Sequence, residues 1–197
     1  MKPSEQLDSL FERNNGVVKT SQALDAGVGK SVFYEYVRLN DVEQIGHGIY
    51  ASQDAWLDGM YMLHLRCSQA VFSHETALFL HDMTDREPNS YSITVKTGYN
   101  PSSLKSDGTK VYTIKKGLHG LGLTTARTPY GNQVSVYDLE RTVCDIVRSR
   151  SGIEAQTFND ALRCYAQRKD KDVRRLMHYA ESFHVEKLLR QYLRVLL

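Results

Sequence analysis

The stretch NGVVKTSQALDAGVGKSVFYEYVRLNDVEQIGHGIYAS, residues 15–52, decides the fold of the N-terminal part of the chain. Its apolar spacing predicts a short helix capped by Thr20, a tight glycine turn and a second helix over residues 30–39. Residues 43–52 predict two short strands around a Gly-His-Gly reversal, since glycine permits positive φ. Two short helices followed by a β-hairpin are typical of a winged helix-turn-helix.

The residues around this stretch predict its core. Apolar residues at helical spacing predict a preceding helix over about residues 4–13, and the two valines that follow predict a very short strand that pairs with the wing hairpin. Ala23 and Leu24 are expected in the core. The inner face of the second helix, which carries Phe33, is expected to pack on Leu24 and Leu10.

The outer face of the second helix groups side chains that suit a DNA major groove. Long donors there can reach base edges, and a helix N-terminus favours phosphate. Glu35 on the same face disfavours phosphate contact but not base contact, since a carboxylate can accept from cytosine. The alternative is a solvated helix face of a domain that binds only protein. The candidate DNA-binding residues are Lys19, Thr20, Ser21, Lys30, Ser31, Tyr34 and Arg38, with His47 at the wing tip.

Charge is distributed unevenly along the chain. Residues 1–55 hold five basic and eight acidic groups, whereas residues 56–197 hold 20 basic and 15 acidic groups. Because phosphate attraction is usually the main affinity term, either a few well-placed cations suffice or the second part of the chain contributes. Lys110 and Lys116 are expected on one face of a strand and Lys115 on the other; a solvated surface is the alternative. The possible basic face comprises Lys96, Lys105, Lys110, Lys115, Lys116, Arg168, Arg174 and Arg175.

We expect an α+β fold with a domain boundary after residue 55. Residues 1–55 form the winged helix-turn-helix, and residues 56–197 form a mixed α/β domain that ends in helices. The junction, residues 52–66, is expected to be a helix with Ser52 as its cap and Trp56 in its apolar stripe. The chain lacks an apolar run of about 18 residues and a signal-peptide core, and its three cysteines form no C-x-x-C pair. A cytoplasmic protein without a membrane span is therefore predicted.

Signatures of enzymes fail on inspection. Ser73, His74 and Glu75 are the residue types of a catalytic triad, but neighbours in a helix point in different directions and cannot form a relay. They are expected to be a cap and first turn. His74 and His81 lack a third metal ligand. The strand that contains Lys96 lacks the acidic residue of a restriction-type nuclease, and no phosphate-binding loop of the P-loop type occurs. We therefore expect no catalytic residues, no metal and no cofactor, and hence no enzyme.

Three blocks resemble the AbiEi family of abortive-infection antitoxins. The run LDAGVGKSVFYEYVRLNDVEQIGHGIYAS (residues 24–52) is similar to the family's winged helix and its V-x-x-(V/I)-G-x-G-(V/I)-Y wing. AVFSHETALFLHDMTDREPNSYSITV (residues 70–95) and VSVYDLERTVCDIV (residues 134–147) are similar to its S-h-x-(S/T)-A-L and x-x-E-R-T-h-x-D blocks. Asn40 replaces a frequent glycine, and asparagine tolerates the left-handed conformation.

The resemblance implies an antitoxin of a type IV toxin–antitoxin system that acts in phage defence. It implies repression of its own promoter by binding to inverted repeats in double-stranded DNA. It further implies a nucleotidyltransferase-like toxin as functional partner, without a stable complex, and an antitoxin role for the C-terminal domain. The alternative is a protein-interaction module that neutralises its partner by direct complex formation.

Overall fold

The computed structural model describes residues 2–196 of the chain. The helices are Pro3–Arg13 (α1), Thr20–Asp25 (α2), Lys30–Leu39 (α3), Gly59–Arg66 (α4), His74–Leu80 (α5), Ser102–Ser106 (α6), Lys116–His119 (α7), Leu139–Arg148 (α8), Ala155–Gln167 (α9), Val173–Ser182 (α10) and Glu186–Leu196 (α11). The strands are Val17–Lys19 (β1), Glu43–Gly46 (β2), Ile49–Ala51 (β3), Val71–Phe72 (β4), Ser92–Lys96 (β5), Lys110–Ile114 (β6), Leu123–Arg127 (β7) and Gln133–Tyr137 (β8). The predicted α+β class is confirmed.

The chain divides into two compact units. Unit 1 comprises residues 1–68 together with 128–132, and unit 2 comprises residues 69–127 and 133–197. Unit 1 is thus longer than the expected domain 1–55, because α4 and the turn between β7 and β8 belong to it. The turn lies close to α4, although about 70 positions of sequence separate them. Local sequence patterns do not predict such a contact.

Unit 1 has the element order expected of a winged helix-turn-helix. β1 and β2 each pair antiparallel with β3, which lies between them. The predicted strand at Val17 and Val18 is confirmed, and so is the hairpin behind α3. Leu7, Phe33 and Tyr50 are buried in one apolar cluster, so the helices and the sheet share a core.

Two sequence predictions in α2 are wrong. Thr20 is the first helical residue and not the cap; the backbone N–H of Lys19 before it donates to Oε1 of Gln22 at 2.7 Å. Leu24 is 45% exposed, whereas Ala23 is fully buried. Successive helical residues point about 100° apart, and in α2 the buried side is the one that carries Ala23.

The junction also differs from the expected helix over residues 52–66. The helix begins only at Gly59, and Asp58 rather than Ser52 caps it, accepting hydrogen bonds from the N–H groups of Met60 and Tyr61. Trp56 is 75% exposed, because it precedes the helix and does not take part in its apolar face.

Unit 2 contains a mixed five-stranded sheet in the order β6-β5-β4-β8-β7. The helix α8 follows this sheet, and all of its residues from Glu140 to Val147 are buried. Asp138 caps it as predicted, accepting from the N–H of Arg141 at 2.8 Å. The inner faces of α8, α9, α10 and α11 share one large apolar cluster, and the helical tail is confirmed.

The expected strand parity of three lysines is wrong. β6 ends at Ile114, and Lys116 begins the short helix α7. Lys110 and Lys116 therefore do not share a strand face, since the pattern of period two stops between them.

Ser73 is the N-cap residue of α5 and His74 begins the helix, as predicted, but the Ser73 side chain contacts His74 and not a helix amide. His74 has φ +49°, a left-handed conformation that turns its ring back toward the preceding residue. Its Nδ1 lies 3.0 Å from Oγ of Ser73, and its Nε2 lies 2.9 Å from Oγ of Ser149. The ring also stacks on Tyr112 with 3.5 Å between the centroids.

This histidine serves the packing of unit 2. Its side chain is fully buried, and burial, followed by the positive charges of Arg148, Arg141 and Lys110, lowers its pKa well below the ordinary value. Oγ of Ser73 accepts from Thr94 at 2.9 Å, so the hydroxyl of Ser73 can donate to a neutral imidazole. Ser73 and His74 thus form a buried hydrogen-bonded pair that bulk solvent does not reach.

Candidate nucleic-acid interface

Helix α3 presents one face to the core and one to solvent. Phe33 is fully buried, and Tyr36 and Val37 pack beside it, as the sequence predicted. On the solvent side, the predicted reading residues Lys30, Ser31, Tyr34 and Arg38 are all exposed, together with Glu35. The structure therefore brings four of the eight candidate residues onto one accessible helix surface.

The N-terminal end of α3 combines a cation with exposed backbone donors. Gly29 precedes the helix and provides no capping side chain, so no cap side chain occupies the first amides. Nζ of Lys30 lies 5.9 Å from the centre of the Tyr34 ring. Positive charge thus gathers where the helix dipole already favours phosphate.

Tyr34 is held by aromatic contacts on its inner side. Its ring meets Phe33 and Tyr50 edge to face, with centroids 5.7 Å and 6.2 Å away. Burial raises the pKa of Tyr50, and a hydrogen bond with Tyr34 raises it further. The 42% exposed Tyr34 side chain therefore has a fixed ring and an outward-facing edge.

The wing is attached to the start of α2. Gly48 has φ +65°, and its carbonyl accepts from the backbone N–H of Thr20 at 2.9 Å and from the hydroxyl of Thr20 at 3.3 Å. This arrangement leaves the neighbouring His47 exposed at the tip. Thr20 consequently supports the wing, and Ser21 beside it is exposed.

Lys19 has a structural partner that the sequence did not reveal. Its Nζ donates to the carbonyl of Leu65, the penultimate residue of α4, at 2.9 Å. The side chain is half-buried, so less of its charge is offered to a ligand than at Lys30 or Arg38. No local pattern predicts a contact between positions 46 apart.

The buried carboxylate of Asp58 supports unit 1 behind this surface, a role that the sequence alone did not indicate. Oδ1 of Asp58 accepts from two amides of α4, while Oδ2 accepts from Thr128 Oγ1 at 2.5 Å and from Asn132 Nδ2 at 2.9 Å. Nδ2 of Asn15 donates to the carbonyl of Tyr130 at 2.9 Å. An aspartate just before a helix is a recognisable cap signal, but its distant donors are not.

The possible basic face of unit 2 is partly neutralised within the chain. Nζ of Lys110 lies 3.0 Å from Glu75, Arg168 lies 2.8 Å from Asp170, and Arg175 approaches both Asp172 and Glu140. Within the described residues, five members of the set have no ion pair: Lys96, Lys105, Lys115, Lys116 and Arg174. Lys96 pairs in register with Ile114, which places Lys96 and Lys115 at the same end of β5 and β6.

The rest of the described chain offers no metal centre. Across residues 2–196, no group of three His, Cys, Asp or Glu side chains could hold a metal ion. None of the described helices is long and apolar enough to cross a bilayer.

Residues 5–53 match a family described as transcriptional regulator, AbiEi antitoxin. The resemblance of the N-terminal segment to that family is thereby confirmed over these residues. No curated protein matches the chain. Among solved structures, the chain is similar to the RV2827C protein from Mycobacterium tuberculosis, with 15% identity and a TM-score of 0.47 over 98% of this chain and 80% of that one.

Proposed function

We propose that this chain, whose residues 5–53 are those of an AbiEi antitoxin-type transcriptional regulator, binds double-stranded DNA through α3 and the wing. It acts as an antitoxin that represses its own toxin–antitoxin promoter at inverted repeats. It acts in the cytoplasm, in phage defence, and without enzymatic activity.

One observation carries the DNA-binding part of this proposal. The segment that matches a regulator family also presents Lys30, Ser31, Tyr34 and Arg38 together on an exposed helix face. A helix of this diameter fits the major groove, and Lys and Arg are the side chains that most often recognise guanine there. His47 lies on the wing, where it can approach the DNA backbone.

The experiment is a gel-shift titration with the DNA upstream of the coding sequence. The double variant Lys30→Ala/Arg38→Ala should weaken binding by about 1–3 kcal/mol per residue if both side chains reach bases. The matched control is Lys2→Ala/Arg13→Ala, which removes the same charge from the two ends of α1. Equal binding by the two double variants would contradict the proposed interface.

Unit 1 alone is a weak attractor of phosphate, because its acids outnumber its bases and Lys19 is engaged by Leu65. We therefore propose that unpaired cations of unit 2 add to the DNA contact. The candidates without an ion pair within the described residues are Lys96, Lys105, Lys115, Lys116 and Arg174. The salt dependence of binding tests this contribution.

The antitoxin part rests on the family match and on the residues of unit 2 that resemble the family. We propose a nucleotidyltransferase-like toxin as functional partner, countered by unit 2 without a stable complex. Co-expression with such a toxin encoded next to this gene should restore growth, whereas pull-down should recover little of it. Growth arrest that persists during co-expression would contradict the antitoxin role.

A second candidate function is favoured by apolar exposure in unit 1. Trp56 is 75% exposed and Leu57 is 60% exposed in the segment before α4. Such residues can anchor a protein partner, and the chain would then neutralise the toxin by direct binding. A toxin complex that survives gel filtration, without any retardation of DNA, would favour this function over the first.

A further inference from the structure

The outer face of α3 carries an acid. At 100° per residue, the side chains that point within about 40° of the direction opposite Phe33 are Ser31, Glu35 and Arg38. All three are exposed. Glu35 therefore lies opposite the core beside Ser31 and Arg38, at the edge of the surface that also carries Lys30 and Tyr34.

Among the described residues of unit 1, no ion pair explains this carboxylate. The ion pairs of the described residues do not include Glu35, although Arg38 lies one turn away on the same helix. Glu35 is the sixth of the ten residues of α3, where the helix dipole gives an acid little stabilisation. Both Glu35 and Arg38 thus keep their charges available to a ligand.

A carboxylate on a DNA-reading surface has a defined chemistry. It repels phosphate, and it can only accept hydrogen bonds, so it gains nothing from base edges that present acceptors. In the major groove, cytosine N4 and adenine N6 donate, whereas guanine N7, guanine O6 and thymine O4 accept. Arg38 beside it has the opposite preference and suits guanine.

We propose, on the basis of the proposed DNA-binding function, that Glu35 is a specificity-determining residue. It accepts a hydrogen bond from the N4 amino group of a cytosine, and it weakens binding to sequences that lack a donor at that position. Arg38 on the same face contributes affinity for DNA, and Glu35 restricts the sequences to which the protein binds. The recognised element therefore contains an obligatory cytosine next to the base read by Arg38.

The test is selection of duplexes from a random pool by the full chain and by three variants. Wild type should enrich a motif with one invariant cytosine. The variant Glu35→Ala should enrich the same motif with that position relaxed, its preference falling by about 5- to 100-fold. It should also bind an unrelated duplex more tightly than wild type at low salt, since a phosphate-repelling charge is gone.

Glu35→Gln removes the same charge from the reading face while keeping the size of the side chain. The matched control is Glu12→Gln, which removes a charge from an exposed site on α1. Only the change at position 35 should alter the selected motif. Identical motifs from wild type and Glu35→Ala would overturn the inference and leave the DNA-binding function intact. Failure of wild type to enrich any motif would instead overturn the proposed function.

Discussion

The carboxylate of Asp58 is a buried acceptor of several hydrogen bonds in unit 1. It is 2% exposed and accepts four hydrogen bonds, two from amides of α4 and two from the turn at residues 128–132. Buried polar groups whose partners are removed cost more than the bond itself, because the orphaned donors lose water as well. This side chain therefore joins two segments of unit 1 that are far apart in sequence.

Asp58→Ala should lower the free energy of unfolding by about 2–4 kcal/mol, since it removes a helix cap and leaves the hydroxyl of Thr128 and the amide of Asn132 without an acceptor. Urea unfolding followed by circular dichroism measures the change. The exposed Asp54→Ala nearby serves as control and should change stability by less than about 0.5 kcal/mol. A small loss for Asp58→Ala would mean that water replaces the carboxylate.

His74 should make unit 2 sensitive to mild acid. Its pKa is lowered in the folded state, first by burial, so below about pH 6.5 the unfolded chain binds a proton that the folded chain does not. Stability is therefore fully present above that pH and falls as the pH drops toward the folded pKa. Burial lowers the pKa of His64 and His119 too, so the comparison must isolate His74.

The measurement is thermal unfolding of wild type and His74→Gln between pH 8 and pH 5. The variant should be less stable than wild type at pH 8. The difference between their free energies of unfolding should shrink by about 1–2 kcal/mol at pH 5. His178→Gln, at an exposed site, should run parallel to wild type. A gap that stays constant with pH would show that His74 titrates normally.

At the scale of elements, the sequence predicted what local patterns determine. The bounds of α3, the wing hairpin and the cap of α8 at Asp138 follow from apolar period, glycine and capping chemistry, and all are confirmed. The predictions for Leu24 and Trp56 were wrong because a short helix and an irregular junction expose residues that apolar character alone assigns to a core.

The candidate site, like the helices and strands, was predictable only where local patterns determine it. The exposed face of α3 follows from its period, since the burial of Phe33 fixes the opposite side. The engagement of Lys19 by Leu65 depends on tertiary contact and has no local signature. The contact between Ser73 and His74 depends on a left-handed φ at a non-glycine residue, which sequence patterns do not indicate.

The turn after α1 should be intolerant of a side chain at Gly16. Gly16 and Gly27 have nearly the same φ, +81° and +85°, so alanine is strained by about 1–2 kcal/mol at either one. A Cβ at Gly16 would also lie 2.5 Å from Oγ of Ser52 and 2.8 Å from Cβ of Ala55, whereas nothing lies within 4 Å at Gly27.

Gly16→Ala should therefore destabilise the chain by about 1–3 kcal/mol more than Gly27→Ala, since overpacking adds to backbone strain. Urea midpoints of the two variants give the difference. Equal losses of stability in the two variants would mean that β3 and the following segment move to accommodate the Cβ at position 16 without a cost in free energy.

At the scale of the whole molecule, charge limits what unit 1 can do alone. Its interface offers Lys30 and Arg38, which have no ion pair among the described residues, so even if both met phosphate instead of bases the salt slope would be only about −2. A contribution from unit 2 should make the slope for the full chain steeper than about −3. Binding measured from 50 to 300 mM salt gives this value.

The variant Lys115→Gln/Lys116→Gln should reduce that slope by about 1–2 if both side chains touch phosphate. The control Lys169→Gln/Lys187→Gln removes the same charge from exposed positions outside the candidate set. Equal slopes for the two double variants would remove Lys115 and Lys116 from the proposed DNA contact.

The membership of residues 128–132 in unit 1 has a consequence for synthesis on the ribosome. The donors Thr128 and Asn132 follow Asp58 by 70 and 74 positions. At ordinary translation speeds they emerge about 4–15 s after it. During that interval Oδ2 of Asp58 lacks its two protein donors, although every helix of the N-terminal unit has already been made. The unit at the beginning of the chain therefore finishes folding only after most of the second sheet has been translated.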